Sequence, residues 1–381
     1  MRSMTPPPEG SARYVRPADD TEERSADPNS ERRSMSDTER GPLPFPCRRI
    51  LIVADLGVSH RGDFGTAVRQ ITAAYRSGAD AVRLPVYRTE RCLHAGATAE
   101  FARWKRCELR RGELTRLAEL AAELGLEFIL SPLDVDSVEG SVELATRYRI
   151  GSGDNDFLPL ITAIAGTGKP ILLSTGGSDL DRIARSVDAI AGRRRLDRMP
   201  MALTLLHAVC WAPTPAEAIN LRAIGTLGSR FGVPIGYSDH AIGIEACVLS
   251  AAVGATVIEK EFVAEVSPTR LDGDDAGTAV GPEAFAAMVE QIRQTEIRLG
   301  SGRKRVVEGE RPILRLRRRS IVAARELREG ETIGADDLTW LRPAIGLPPG
   351  CEPLLIGGTL RRSVAKHEPV QLDDVRMARA A

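Results

Sequence analysis

A surplus of charge of either sign is missing from this sequence: 52 Lys plus Arg balance 52 Asp plus Glu, a formal net charge of zero over 381 residues. Without a basic excess nothing pulls the chain toward nucleic acid or an anionic membrane, so any phosphate binding must be local. The Arg runs at 194–196 and 316–319 read as solvated faces. Paired cysteine spacing is missing too. The six cysteines stand apart at 47, 92, 107, 210, 247 and 351 with no CxxC, which excludes a disulfide framework or zinc knuckle and suits a reducing cytoplasm. No run of about eighteen apolar residues exists, and the first residues are polar and proline-rich where a secretory signal is apolar, so neither a spanning helix nor a signal is expected.

What the chain has is 43% hydrophobic residues, enough for a sizeable core, distributed in a regular alternation. Residues 1–46 are the exception: Pro, Ser, Arg, Asp and Glu without aliphatic periodicity predict a disordered extension, either a dispensable start or a docking tail. From residue 49, apolar runs at 50–55, 82–84, 128–132, 148–150, 170–173, 201–206, 233–237 and 256–260 predict strands. Helical patterns at 64–76, 114–124, 217–230, 243–253 and 282–298 lie among them. Eight strands alternating with helices in about 250 residues is the count of a (β/α)8 TIM barrel, an α/β fold. A doubly wound sheet is the alternative, but no Gly-rich dinucleotide turn follows the first strand. The layout is thus an extension at 1–46, a barrel at 47–300, a linker at 301–317 and a small, mostly β domain at 318–381. That last domain has a thin core, so it is expected to pack on the barrel or on a partner subunit.

In such a barrel the residues closing each strand at its carboxyl end surround one pocket. Here they are Asp55, Arg83, Ser131, Arg149 with Ser152 and Asp154, Ser174 with Thr175, His207, Ser238 with Asp239 and His240, and Glu259 with Glu261. Asp55, Asp154 and Asp239 are the candidates for handling a proton or water. Arg83 and Arg149 offer fork-shaped donors for phosphate or carboxylate, pairing with Asp55 or Asp154 being the plainer alternative. His240 and Glu261 form either an incomplete shell for Mn²⁺ or Mg²⁺ or simply a histidine hydrogen-bonded to a carboxylate. Asp272, Asp274 and Asp275 follow in a loop, as solvated acids or as supports for the metal. Cys210 reads as a buried thiol, not a nucleophile, and His60 follows the first strand near the rim.

Together these motifs resemble the sialic acid synthase family, whose members make N-acetylneuraminate, legionaminate and pseudaminate. The resemblance covers residues 50 to about 376 and rests on Ala54-Asp-Leu-Gly-Val-Ser-His-Arg-Gly-Asp63, Gly78-Ala-Asp-Ala-Val-Arg83, Ile150-Gly-Ser-Gly-Asp154, Leu173-Ser-Thr-Gly176, Leu205-Leu-His207, Gly236-Tyr-Ser-Asp-His240 and Gly254-Ala-Thr-Val-Ile-Glu-Lys260. Arg319-Ser-Ile-Val-Ala-Ala324 and Arg342-Pro343 resemble the antifreeze-like (SAF) domain of the same enzymes. The resemblance implies a cytoplasmic homodimer in which the SAF domain of one subunit caps the partner barrel. It implies condensation of phosphoenolpyruvate with an N-acylated amino-sugar aldehyde to a nonulosonate and phosphate, with a divalent metal, Mn²⁺ or Mg²⁺, at the aldehyde. The family's substrate-binding positions fall on Arg83, Ser131, Arg149, Ser152, Ser174, Ser238 and Arg342, with Thr175 and His207 beside them. Its acids fall on Asp55 and Asp154, and its metal histidines on His240 and Glu261.

The chain departs from the family pattern inside the site. Arg replaces Lys at 83 and 149, Asp replaces Glu at 55 and 154, and Glu replaces His at 261. Ser59, Pro85, Gly177 and Ala212 stand where Asn, Gln, Met and Tyr are usual. Longer cations facing shorter acids conserve charge while moving atoms by roughly 1 Å, a distance that matters to catalysis. Two readings follow: a divergent synthase with its own aldehyde, or a catalytically impaired sugar-binding paralogue in a surface-glycan pathway.

Overall fold

Runs such as Leu-Ile-Val-Ala-Asp at 51–55 are rich in β-formers and too brief for a buried helix. In the computed structural model, which describes residues 49–94, 96–193, 202–265 and 277–376, they become the strands of a closed parallel barrel. The strands are β1 (Leu51–Asp55), β2 (Ala81–Val86), β3 (Glu127–Pro132), β4 (Arg147–Ile150), β5 (Ile171–Ser174), β6 (Leu203–Ala208), β7 (Ile235–Asp239) and β8 (Val257–Glu261). Pairing of β1 with β8, from Leu51 opposite Val257 to Asp55 opposite Glu261, closes the ring. Residues 1–46 lie outside the described residues.

Strand side chains alternate between faces, so the barrel has two cores. Val53, Ala81, Ile129, Leu172, Leu206 and Val257 fill the interior. Their immediate neighbours, among them Ile52, Val82, Leu130, Leu173, Leu205 and Ile258, pack instead with Ile71, Leu117, Ile161 and Phe285 of the surrounding helices. Gly236 on β7 faces inward where a Cβ would stand 2.6 Å from both the Leu206 Cδ2 and the Val257 carbonyl, so no larger residue fits there. Two residues beyond the inner core, the same faces carry Asp55, Arg83, Ser131, Ser174 and Glu259 to the carboxyl mouth.

At the opposite end Asp80 joins the strands to the last barrel helix, Pro282–Leu299. Its carboxylate accepts the Ile52 N–H at 2.9 Å and pairs with Arg293, which also holds the Ile50 carbonyl. Asp80→Ala is expected to cost about 2 kcal/mol in urea unfolding, because a buried donor and a guanidinium lose their acceptor together. An unchanged midpoint would show that the closure does not depend on it.

One expectation needs correction. The helix expected over 217–230 is broken: Asn220 at φ 48° is left-handed and separates Ala216–Ile219 from Ala223–Phe231. The linker at 301–317 contains a helix, Glu310–Arg317, none of whose residues is buried. The small domain pairs β9 (Ser320–Ala323) with β10 (Leu338–Leu341) and β11 (Thr359–Leu360) with β12 (Val375–Arg376). A 3₁₀ turn covers Glu352–Leu354. The domain has its own core, built on Ile321, Leu327, Ile333, Leu355, Val364 and Val370, separate from that of the barrel. No helix of the described residues is long and apolar enough to cross a membrane.

Candidate active site

The inner-face residues at the mouth form two guanidinium–acid contacts. Arg83 Nη2 meets Asp55 Oδ2 at 2.8 Å, and Asp55 Oδ1 accepts the Gly57 N–H at 2.9 Å. Across the barrel, Arg149 Nη2 donates to Glu259 Oε1 at 2.9 Å, and Ser238 Oγ donates to the same oxygen at 2.8 Å. Arg149 Nη1 and Asp154 Oδ2 both lie over Gly151, where a Cβ would be 3.2 and 3.7 Å from them. Ser152 Oγ and Ser174 Oγ are 2.7 Å apart. The Asn155 amide holds this wall in place through the carbonyls of Ser174 and Gly176.

Some buried donors and acceptors are left over. Ser131 Oγ, Arg149 Nε and Glu259 Oε2 have no hydrogen-bond partner among the described residues. Buried polar atoms are ordinarily satisfied, so three of them round one mouth mark a place for a polar ligand.

The mouth is also overfull of carboxylates: Asp55, Asp154, Glu259 and Glu261 face Arg83, Arg149 and His240. Burial pushes the Asp55 carboxyl up to about 7, Arg83 opposing and Glu259 adding to the shift. Burial raises Asp154 as well. For Glu259 burial is outweighed by Arg149, Arg83 and the Ser238 hydrogen bond, and it is held below the usual carboxylate range. Burial would discharge His240, but the Glu261 hydrogen bond and charge keep it above the usual imidazole range.

His240 Nδ1 and Glu261 Oε1 are 3.0 Å apart, and Thr278 Oγ1 donates to the other Glu261 oxygen. One imidazole nitrogen and one carboxylate converging at the mouth fit part of a shell for a divalent ion that accepts nitrogen and oxygen. Among the described residues no group of three or more His, Cys, Asp or Glu is arranged to hold a metal. Asp272, Asp274 and Asp275 lie outside the described residues.

Several expected site residues are not brought here. Asp239 follows Ser238 on β7, so it points to the helical side, where it pairs with Lys260 at 2.8 Å, both side chains fully buried. His207 lies on that same side, its Nε2 2.8 Å from the Ile219 carbonyl and its ring 6.0 Å from that of Tyr237. Thr175 spends its hydroxyl on the Leu206 carbonyl at 3.0 Å. Arg342 is exposed on the small domain and makes no hydrogen bond or ion pair with the barrel of its own chain among the described contacts. His60 is buried beneath the rim, its Nδ1 accepting the Gly62 N–H at 3.0 Å, and burial lowers its pKa to about 4. Cys210 is exposed, not buried; its sulfur sits beside Ser152 Oγ over Gly176. Glu259, visible in the sequence at a strand end but given no role, stands at the centre. Its signal was the two-residue step to Glu261 on one strand face.

The profile of the NeuB family matches residues 70–304, and that of the SAF domain residues 318–376. The N,N'-diacetyllegionaminic acid synthase of Legionella pneumophila is 33% identical over 331 residues, 82% of this chain and 91% of the relative. The pseudaminic acid synthase of Helicobacter pylori is 29% identical over 85% of this chain and 97% of its own. Among solved structures, the N-acetylneuraminic acid (sialic acid) synthetase of Leptospira borgpetersenii, crystallised with citrate, superposes with a TM-score of 0.64 at 29% identity, covering 70% of this chain and 91% of that one.

Proposed function

Because the chain belongs to the NeuB family and carries a SAF domain, we propose that it condenses phosphoenolpyruvate with the open-chain aldehyde of an N-acylated amino sugar, giving a nonulosonate and inorganic phosphate. The observation that carries this reading is the pair of guanidiniums, Arg83 and Arg149, set among serine hydroxyls and carboxylates on the inner barrel face. Fork-shaped donors suit the phosphate and carboxylate of phosphoenolpyruvate, and Ser131 Oγ and Arg149 Nε have capacity to spare for them. In the reaction C3 of phosphoenolpyruvate bonds to the aldehyde carbon, water oxygen bonds to C2, and phosphate leaves with cleavage of the C2–O bond.

Glu259, ionised and with Oε2 unpartnered, takes the proton from the attacking water at that oxygen. Asp55, protonated by burial up to about pH 7, delivers a proton to the nascent alkoxide or the departing phosphate. Asp154, beside Arg149, orients that guanidinium against the anion. His240 and Glu261 would hold a divalent metal, Mn²⁺ or Mg²⁺, which when bound supplies a Lewis acid for the aldehyde oxygen. A second copy of the chain brings Arg342 of its small domain over the mouth as a sugar contact, which makes the working unit a homodimer, and balanced charge with scattered cysteines suits the cytoplasm.

The test is phosphate release from phosphoenolpyruvate with a panel of N-acylated amino sugars. Sugar-dependent release is expected, falling at least about a hundredfold in EDTA and returning with Mn²⁺. Silence across the panel by a folded dimer would favour the sugar-binding paralogue, a reading with support in Arg83 and Arg149 both being already engaged by carboxylates.

A further inference from the structure

Behind the mouth, on the helical side of β7 and β8, lies a second charged group that the proposed chemistry does not use. Lys260 is completely buried, and its ammonium donates to Asp239 Oδ2 at 2.8 Å and to the Ala241 carbonyl at 2.6 Å. Asp239 Oδ1 accepts the Tyr237 hydroxyl at 2.7 Å and the Ala241 N–H at 3.0 Å, while Cys247 Sγ, on the helix Glu245–Ala252, lies 3.4 Å from Oδ2. The residue between Asp239 and Ala241 is His240, whose own carbonyl accepts the Thr214 N–H at 2.8 Å. The residues on either side of Lys260 are Glu259 and Glu261.

We propose that the buried Lys260–Asp239 pair is a positioning device that fixes the backbone immediately after His240 and ties it to β8, so that His240 and Glu261 meet in a geometry that holds a divalent metal. The inference rests on reading His240 and Glu261 as the metal-holding pair. Packing alone does not account for the arrangement. Two desolvated charges at a strand–helix contact are no more stabilising than apolar side chains of the same volume, so a pair that only filled space would be replaceable by them. This pair grips the polypeptide instead: one partner takes the Ala241 N–H, the other the Ala241 carbonyl, so the two peptides that follow His240 are fixed, while the β7–β8 ladder fixes Asp239 before it. β7 ends at Asp239, so beyond it the regular ladder no longer supplies that constraint. Lys260 continues the outer face of β8 while Glu259 and Glu261 occupy the inner one; a shift of Lys260 therefore moves both carboxylates.

The experiment is a Mn²⁺ titration of the full-length protein, with free Mn²⁺ read by electron paramagnetic resonance well below the melting temperature. It compares wild type, His240→Ala, and the double variant Lys260→Met with Asp239→Asn. The double variant removes both charges at once, leaving no lone buried ion, and the asparagine oxygen can still accept from Tyr237 and Ala241. Cooperative melting with a Mn²⁺ dissociation constant raised about 10- to 100-fold, toward that of His240→Ala, is the expected result. A folded double variant that binds Mn²⁺ as wild type does overturns the proposal. Tyr237→Phe, which removes one hydrogen bond and leaves the ion pair in place, is the check should the double variant not fold: a rise of about 2- to 10-fold supports the proposal and no change overturns it. Wild type that takes up no Mn²⁺ is a separate result, which removes the metal reading and this inference with it.

Discussion

Arg149→Met is expected to lower stability by about 3–5 kcal/mol and sugar-dependent phosphate release by roughly a hundred- to a thousandfold. Both effects follow from one ion pair. Arg149 and Glu259 have side chains 8% and 1% exposed, so removing the guanidinium leaves a carboxylate in the barrel with Ser238 as its remaining donor. Breaking a buried pair from one side costs far more than replacing both partners, because the survivor keeps its desolvation penalty and loses its compensation. Adding Glu259→Gln should therefore recover most of the stability, since a neutral amide can still accept from Ser238. It should not recover the rate: the double variant lacks both the cation facing the anionic substrate and the base facing water. Urea unfolding and the phosphate assay on the same preparations separate the two roles. An unchanged unfolding midpoint in Arg149→Met would remove the case for the pair as a structural element, and a double variant that regains activity would remove Arg149 from substrate binding.

The barrel was legible because its strands repeat one physical solution, a short β-forming run that ends in a polar residue. Register was not. Position along a strand was read from Ser238, Asp239 and His240, yet adjacent strand residues cannot share a face, so Asp239 joined the candidates and turned out to face Tyr237 and Lys260. His207 and Thr175 entered in the same way, one residue away from the inner positions of Leu206 and Ser174. The inner core itself held the correction: counting by twos from Val257 reaches Glu259 and Glu261 and skips Lys260. Charge told more than shape. The exchange of Lys for Arg and of Glu for Asp, implied by the family resemblance, becomes concrete as Arg83 on Asp55, where a long cation reaches a short acid at 2.8 Å. The plainer alternative for Arg149 was an ion pair with Asp55 or Asp154, but the acid it meets is Glu259 on β8, a residue 110 positions away that only barrel closure brings across.

Asp55→Asn is expected to lower phosphate release about a hundredfold or more and to flatten its dependence on pH near neutrality. Burial is the main reason the Asp55 carboxyl is raised to about 7; Arg83 pulls against it and Glu259, across the mouth, pushes with it. Below its unfolded value, 3.8, the carboxyl is protonated whether the chain is folded or not, and the raised value leaves stability untouched. Between that point and about pH 7 the unfolded chain releases the proton while the folded chain keeps it, so stability falls as pH rises; above about 7 both have lost it and the loss stays constant. Asparagine has no proton to lose. Relative to wild type, the variant should therefore gain stability from about pH 4 to about pH 7, by an amount on the order of a few kcal/mol in paired urea titrations. Activity should carry the same signature. If the protonated carboxyl is the proton donor, wild-type turnover falls as pH rises through about 7, and the variant's residual turnover does not. A stability difference independent of pH would place the Asp55 proton elsewhere in the charge cluster, and a wild-type rate in Asp55→Asn would take this carboxyl out of the chemistry and leave it only as the partner that holds Arg83 in place.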